Sequence, residues 1–306
     1  MTLPRHVLGV DVARDWIDVF DPASNRSLRI DTPQLKAFAR SLPPDAFLVL
    51  EATGGYERPL MEALEAAGIA HARVNPRQAR EFARATGRLA KTDKVDARVL
   101  AEMGRALDPA PAARPDPARR RLADLVARRE DIVAAITAET QRLAMARDGF
   151  IRRDIGRMLS ILRARRLAIE KEITGHIGAS EALSAATARL RTAPGVGPVV
   201  AATLLARLPE LGHLDRRAIA SLAGLAPQAC DSGHRRGRRH VWGGRANVRR
   251  TLYLAGLIAS RCDPALKAMR QRMQTAGKPA KVAILAVARK LLTILNAMLR
   301  DQQNYA

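Results

Sequence analysis

Two short apolar runs that each stop at an acid constrain this chain more than any other feature. His6–Asp11 reads HVLGVD and Ala46–Glu51 reads AFLVLE. Runs of this length without a polar break are the mark of strands buried on both faces of a sheet. Trp16–Phe20 and Ser27–Ile30 supply two further strand patterns, with Pro22 and Asn25 marking the turn between them. Helix-like spacing follows over 33–42 and again over 56–67, where Leu60, Met61, Leu64 and Ala67 share a face and Gly68 is suited to the C-cap. A short strand over 70–74 and a helix over 76–85 come next. Asp93 and Asp96 then open a last helix with Val95, Val99, Leu100 and Met103 on its apolar side. Three strands together, then strand and helix in alternation, predict a mixed sheet flanked by helices, in the order of the ribonuclease-H-like plan.

The Pro/Ala-rich stretch at 110–117 is the natural boundary. Beyond it, Leu122, Leu125, Ile132, Ile136 and Leu143, and then Ile155, Met158, Leu162, Ile169, Ile173 and Ile177, recur at steps built from threes and fours. Charged residues fill the positions between, which predicts a coiled-coil pair with Asp148-Gly149 at its tip. The expected organisation is therefore an α/β catalytic domain over 1–112, a coiled-coil linker over 116–185 and a helical domain over 186–306. In the last, Pro194-Gly195-Val196-Gly197-Pro198 ahead of an apolar helix resembles the turn of a helix-hairpin-helix element. There, Gly195 and Gly197 would let backbone N–H groups approach a phosphate. A helix over 216–223, a Gly- and Arg-rich loop over 230–244 and helices near 248–261 and 281–300 complete the chain.

With 52 Lys and Arg against 30 Asp and Glu, the net charge is +22, which favours polyanionic partners, nucleic acid first. No uncharged apolar run is long enough to span a membrane, and the first residues lead straight into a strand rather than a signal peptide. The only two cysteines, Cys230 and Cys262, form no metal or disulfide pattern, so a reducing cytoplasm is expected. Aromatics at 3% argue against a base-stacking platform. Asp11 is followed by Val-Ala-Arg-Asp rather than by the Gly- and Thr-rich hairpin of actin-like phosphotransferases. No Walker-type loop occurs, so an NTPase is disfavoured.

Asp11, Glu51, Asp93 and Asp96 are the candidate centre. Asp93 and Asp96 lie three apart and share a helix face. Acids held close together raise one another's pKa unless cations intervene. Carboxylates and water suit Mg²⁺ or Mn²⁺, and a pair of such ions suits in-line phosphoryl displacement. Singly, each acid has a structural alternative: Asp11 as a strand end, Asp93 and Asp96 as partners of Lys91, Lys94 or Arg98. Seven arginines between Ser232 and Arg250, with no acid among them, read as a grip on phosphates. They are Arg235, Arg236, Arg238, Arg239, Arg245, Arg249 and Arg250. His234 and His240 read as phosphate contacts or solvated residues, and Trp242 as packing.

The segments GVDV at 9–12, EATGGY at 51–56 and KTDKVDA at 91–97 resemble the RuvC-like DEDD domain of IS110-family transposases and the related Piv-type invertases. PGVGP at 194–198, AGLAP at 223–227, Ser232-Gly233 and NVRRTL at 247–252 resemble that family's C-terminal transposase domain. The resemblance implies a DNA recombinase that excises and inserts its own element, directed by a structured bridge RNA and assembled as a dimer or tetramer. It further implies that Asp11, Glu51, Asp93 and Asp96 bind Mg²⁺, and that a C-terminal serine forms a phosphoserine link. Ser232 takes that role here, with Ser221 as the alternative, because 234–247 departs from the commoner family pattern. A covalent phosphoester keeps the bond energy for rejoining without ATP. The rival readings are a metal-dependent nuclease or junction resolvase with a structural serine, and a non-catalytic nucleic-acid-binding protein.

Overall fold

A computed structural model describes residues 6–88, 93–112, 116–228 and 239–306, with the side chains of 93–95 outside that description. The chain divides into two compact units, 1–114 and 115–306. In the first, β1 (His6–Val12), β2 (Trp16–Asp21), β3 (Arg26–Asp31), β4 (Ala46–Glu51) and β5 (Ala70–Val74) form one five-stranded sheet in the order β3-β2-β1-β4-β5. The first three strands are antiparallel, whereas β4 and β5 run parallel to β1. The mixed sheet expected from the alternation is therefore present.

Alternate residues of the central strands feed two separate cores, as the pleat requires. Leu8, Val10, Val12, Leu48 and Leu50 pack against Leu35 and Ala39 of α1 (Leu35–Ser41) and Leu60 and Leu64 of α2 (Arg58–Ala67). Phe47, Val49, Ala72 and Val74 face the opposite way, onto Ala79 of α3 (Pro76–Ala85) and Leu100 and Met103 of α4 (Asp93–Leu107). Strands buried on both faces explain the unbroken apolar runs. Gly68 ends α2 with a left-handed φ of 78°, the C-cap conformation that its position in the sequence predicts.

The described residues of the second unit form helices apart from one short strand pair. α5 (Pro117–Met145) and α6 (Gly149–Gly178) form an antiparallel hairpin, tied by Arg121–Glu172 and Arg129–Glu170 ion pairs at 2.7 Å. Asp148 caps α6 by accepting from the Phe150 and Ile151 N–H groups at 2.9 Å. The helices α7 (Glu181–Arg191), α8 (Pro198–Arg207), α9 (Arg216–Leu222), α10 (Ala246–Cys262), α11 (Pro264–Thr275) and α12 (Ala280–Arg300) follow. Their core, which includes Leu190, Leu204, Leu252, Val287 and Leu291, also takes Leu122 and Val126 from α5 and Ile173 and Ile177 from α6. The base of the hairpin is thus continuous with the C-terminal helices. α7 and α11 are additions to the helices that periodicity predicts. Among the described residues, α12 alone is long and apolar enough to cross a membrane, and half of it is buried in this core. Its apolarity is accounted for by packing.

Candidate active site

The decisive contact in the first unit is backbone on backbone. A Cβ added to Gly9 in β1 would lie 1.9 Å from the Ala97 carbonyl oxygen and 2.3 Å from the Ala101 nitrogen of α4. Only glycine permits that approach. Further along α4, a Cβ on Gly104 would meet Val49 and Val7 side chains at 2.6 and 2.8 Å. α4 therefore runs antiparallel to β1, and its first turn lies over the C-terminal ends of β1 and β4.

Those ends carry the acids. Asp11 is two residues beyond Gly9 and shares its face, about 7 Å along the strand. Val10 pairs with Leu50 in the parallel β1–β4 register, so Asp11 and Glu51 are the next pair of positions on neighbouring strands. Asp96 lies one turn ahead of Leu100, on the side of α4 that packs against β4 and β5. Asp93 occupies the first position of the helix, one turn ahead of Ala97. The fold thus draws the four sequence positions to one end of one sheet face. Acids in the first turn of a helix are also favoured by its dipole. Among the described residues, which leave out the Asp93 side chain, no three His, Cys, Asp or Glu side chains stand close enough together to hold a metal ion. As a donor set, half-buried carboxylates at strand ends suit a hard divalent cation.

Two buried acids that sequence reasoning passed over flank this end. Asp18 is the antiparallel partner of Asp11, and Arg29 on β3 is in turn the partner of Asp18. Arg29 donates from Nε and Nη2 to the two Asp18 oxygens at 3.0 and 2.7 Å, while its guanidinium lies 4.6 Å over the Trp16 ring. Glu51, Asp11, Asp18 and Arg29 form one row across four strands. The second buried acid, Glu57, follows β4. Its carboxylate accepts from the Thr53 N–H (3.2 Å), the Thr53 hydroxyl (3.1 Å) and the Gly55 N–H (2.8 Å), and pairs with Arg73 at 3.2 Å. Burial pushes its carboxyl up, but hydrogen bonds from its own N–H, the Gly55 N–H and Thr53 outweigh burial and hold it below the usual glutamate range. The inward phase of Asp18 in its strand is a signal that alternation alone offers. The Glu57–Arg73 pair joins residues sixteen apart and needed the fold.

In the second unit, the segment assigned to the nucleophile, Ser232 with Arg235, Arg236 and Arg238, lies outside the described residues. Among the described residues, β6 (Pro227–Gln228) and β7 (His240–Val241) pair antiparallel. Ser221, the alternative nucleophile, is exposed on the last turn of α9. The glycine turn is used internally: Gly195 has a left-handed φ of 77°, and a Cβ there would lie 2.3 Å from the Ala255 carbonyl of α10. Gly197 is exposed at the N-cap of α8. Arg245 holds Glu210 with two bonds of 2.6 and 2.7 Å and the Arg207 carbonyl at 2.9 Å. Arg207 and Asn247 both reach Glu130 of α5, at 2.7 and 3.0 Å. Arg249 donates to the Gly243 carbonyl at 2.6 Å. Two of the seven arginines thus bind protein groups, while Arg239 and Arg250 are exposed.

Comparison with known proteins gives a consistent answer along the chain. A family model described as the DEDD transposase of IS110 matches residues 22–149, and a second, described as the transposase of the IS116/IS110/IS902 family, matches 187–271. The chain belongs to the IS110 family of transposases. Among its relatives, the uncharacterized 42 kDa protein of insertion element IS900 from Mycobacterium paratuberculosis is 36% identical over 121 residues. The uncharacterized 43.6 kDa protein of insertion element IS110 from Streptomyces coelicolor is 35% identical over 123. These matches cover 37% and 38% of this chain but only 29% of each relative. The pilin gene-inverting protein of Moraxella lacunata is 28% identical over 270 residues, covering 84% of this chain and 81% of its own.

Proposed function

We propose that this IS110-family chain is a DNA recombinase that cuts and rejoins strands by metal-assisted phosphoryl transfer to a serine. The first unit is read as RuvC-like. The observation that carries the reading is the convergence of Asp11, Glu51, Asp93 and Asp96 at one end of one sheet face, beneath a helix seated on Gly9. Divalent ions bound there would neutralise the phosphate oxygens and assist in-line displacement. Asp11 and Glu51 hold fixed strand-end positions for them, and Asp96 approaches from the helix.

Ser232 is the proposed nucleophile. Its oxygen attacks phosphorus, a P–O bond to serine forms, and the bond to the departing sugar oxygen breaks. The serine proton is lost and the departing oxygen gains one; reversal with a new strand end rejoins the DNA. Arg239 and Arg250, with Arg235, Arg236 and Arg238, are proposed to hold phosphates. Such contacts position a duplex without reading its sequence. We assign that reading to a structured guide RNA, by analogy with systems in which base pairing carries specificity. Assembly as a dimer or tetramer belongs to the same proposal, as does a partner of the kind named for the pilin gene-inverting relative, an invertible DNA segment. The +22 charge supports a polyanionic partner.

The experiment is an adduct trap with DNA carrying the element ends and Mg²⁺. Wild type should give a covalent protein–DNA species, Ser232→Ala none, and Asp11→Ala neither adduct nor nicking. Nicking by Ser232→Ala at the wild-type rate would instead support a RuvC-like nuclease or junction resolvase.

A further inference from the structure

Asp18 and Glu57 are the two buried carboxylates among the described residues; Asp18 is the strand partner of Asp11, and Glu57 follows the strand that ends in Glu51. Each is also locked by an arginine from an outermost strand of the sheet, Arg29 on β3 and Arg73 on β5. Asp18 stands beside Asp11 on the site face. Glu57 is arranged differently. Arg73 pairs in register with Leu50, whose side chain belongs to the α1–α2 core. The Glu57–Arg73 lock therefore sits behind the strand end, on the face opposite Glu51.

What Glu57 holds is the loop that leaves Glu51. Gly54 and Gly55 take left-handed φ values of 74° and 116°, and a Cβ on either would meet nothing within 4 Å. Close packing does not require these glycines, so the loop path rests on hydrogen bonds. Three of these converge on one Glu57 oxygen, from the Thr53 N–H and hydroxyl and the Gly55 N–H, while Arg73 takes the other oxygen. The Ala52 N–H adds a 3.4 Å bond to the Val74 carbonyl on β5. Without the carboxylate, two N–H groups next to the strand end lose their acceptor. A loop with two glycines in left-handed conformations then loses its fixed path, and the backbone that continues from Glu51 loses its support on that side.

Resting on the metal-dependent reading above, we infer that Glu57, clamped by Arg73, is a positioning residue that fixes Glu51 for cation binding without touching the cation. Glu57 acts on Glu51 through the loop backbone, and the orientation of a ligand sets its affinity for the cation.

The test titrates Mn²⁺ onto the full-length protein and follows the loss of the free-ion EPR signal, below each variant's thermal midpoint. Glu57→Ala should weaken the Asp11-dependent site by roughly tenfold. Thr53→Val, which removes one hydroxyl bond and spares the backbone, should weaken it roughly threefold. Glu57→Gln should fall between Glu57→Ala and wild type. Hydrogen exchange should show faster amides at 53 and 55 in each Glu57 variant. If Glu57→Ala does not fold, Thr53→Val and Arg73→Met decide the matter. Wild-type Mn²⁺ affinity in these folded variants overturns the inference alone, with the Asp11-dependent site intact. Absence from wild type of any Mn²⁺ site that Asp11→Ala removes overturns this inference and the metal-dependent reading together.

Discussion

Each unit contains a glycine on which a helix backbone rests, Gly9 under α4 and Gly195 against α10. In the first unit, the contact places the helix's first turn, with Asp93 and Asp96, at the strand ends that carry Asp11 and Glu51. In the second, it packs the turn itself against the helix, with the Ala255 carbonyl 2.3 Å from where a Cβ on Gly195 would lie. The same residue type seats a helix over strand ends in one case and packs a turn against a helix in the other. What decides between them is the neighbour, which the local sequence does not name.

The largest effect expected is at the site end. Asp11→Ala should reduce strand cleavage by more than roughly 100-fold, beyond the range of outer-shell partners, and leave the thermal midpoint near wild type. Retained cleavage would remove the functional half of the comparison.

Next come the glycines. Gly9→Ala should cost about 3 kcal/mol by denaturant titration, since the added carbon meets backbone that cannot turn aside, and cleavage should fall further than stability. Gly195→Ala should cost a similar amount, overpacking combined with a left-handed φ, yet leave DNA affinity of the folded protein unchanged. If Gly195→Ala folds normally but loses DNA, the turn is a ligand site and the contrast fails.

Arginine use sharpens the same contrast. Arg245→Lys should lose about 1 kcal/mol of stability, since lysine cannot reproduce the two-bond fork to Glu210. The salt dependence of its DNA binding should match wild type. Arg250→Ala should do the reverse, lowering the slope of log affinity against log salt by about one and sparing stability.

The smallest effects are in pH. The depressed Glu57 carboxyl contributes stability above the ordinary value of 4.5, which is lost as pH falls through its lower folded value. Glu57→Gln should flatten that acid limb. At the other extreme, Tyr305 donates to Asp263 at 2.7 Å; burial and this bond raise its phenol from 10.0 to about 12. Its contribution is complete below pH 10 and disappears as pH rises towards 12. Tyr305→Phe should remove that alkaline dependence. Thermal midpoints across pH check both.

Much of the architecture was legible because burial writes itself into local pattern. The run HVLGVD became β1, the predicted 76–85 helix became α3 and the proposed tip at Asp148 caps α6. α11 was missed for a physical reason: Leu266 is its one fully buried residue, so it carries little apolar periodicity. The positions of Asp11 and Glu51 at strand ends could be read directly. Their placement on one face depends on strand register, and the locks at Glu57 and Asp18 depend on edge strands arriving from elsewhere. Gly195 meets a helix far along the chain, and Arg245 meets Glu210 only after α9 has turned back. None of these pairings has a local signature.

The helical hairpin has a consequence for how such proteins diversify. Its legs of 29 and 30 residues run antiparallel, with the shared core confined to their base. Seven residues added to each leg would push the tip outward by roughly 10 Å without disturbing a buried contact below. A longer hairpin can therefore extend its reach on an unchanged core, as a telescoping strut alters a span and leaves its footing untouched.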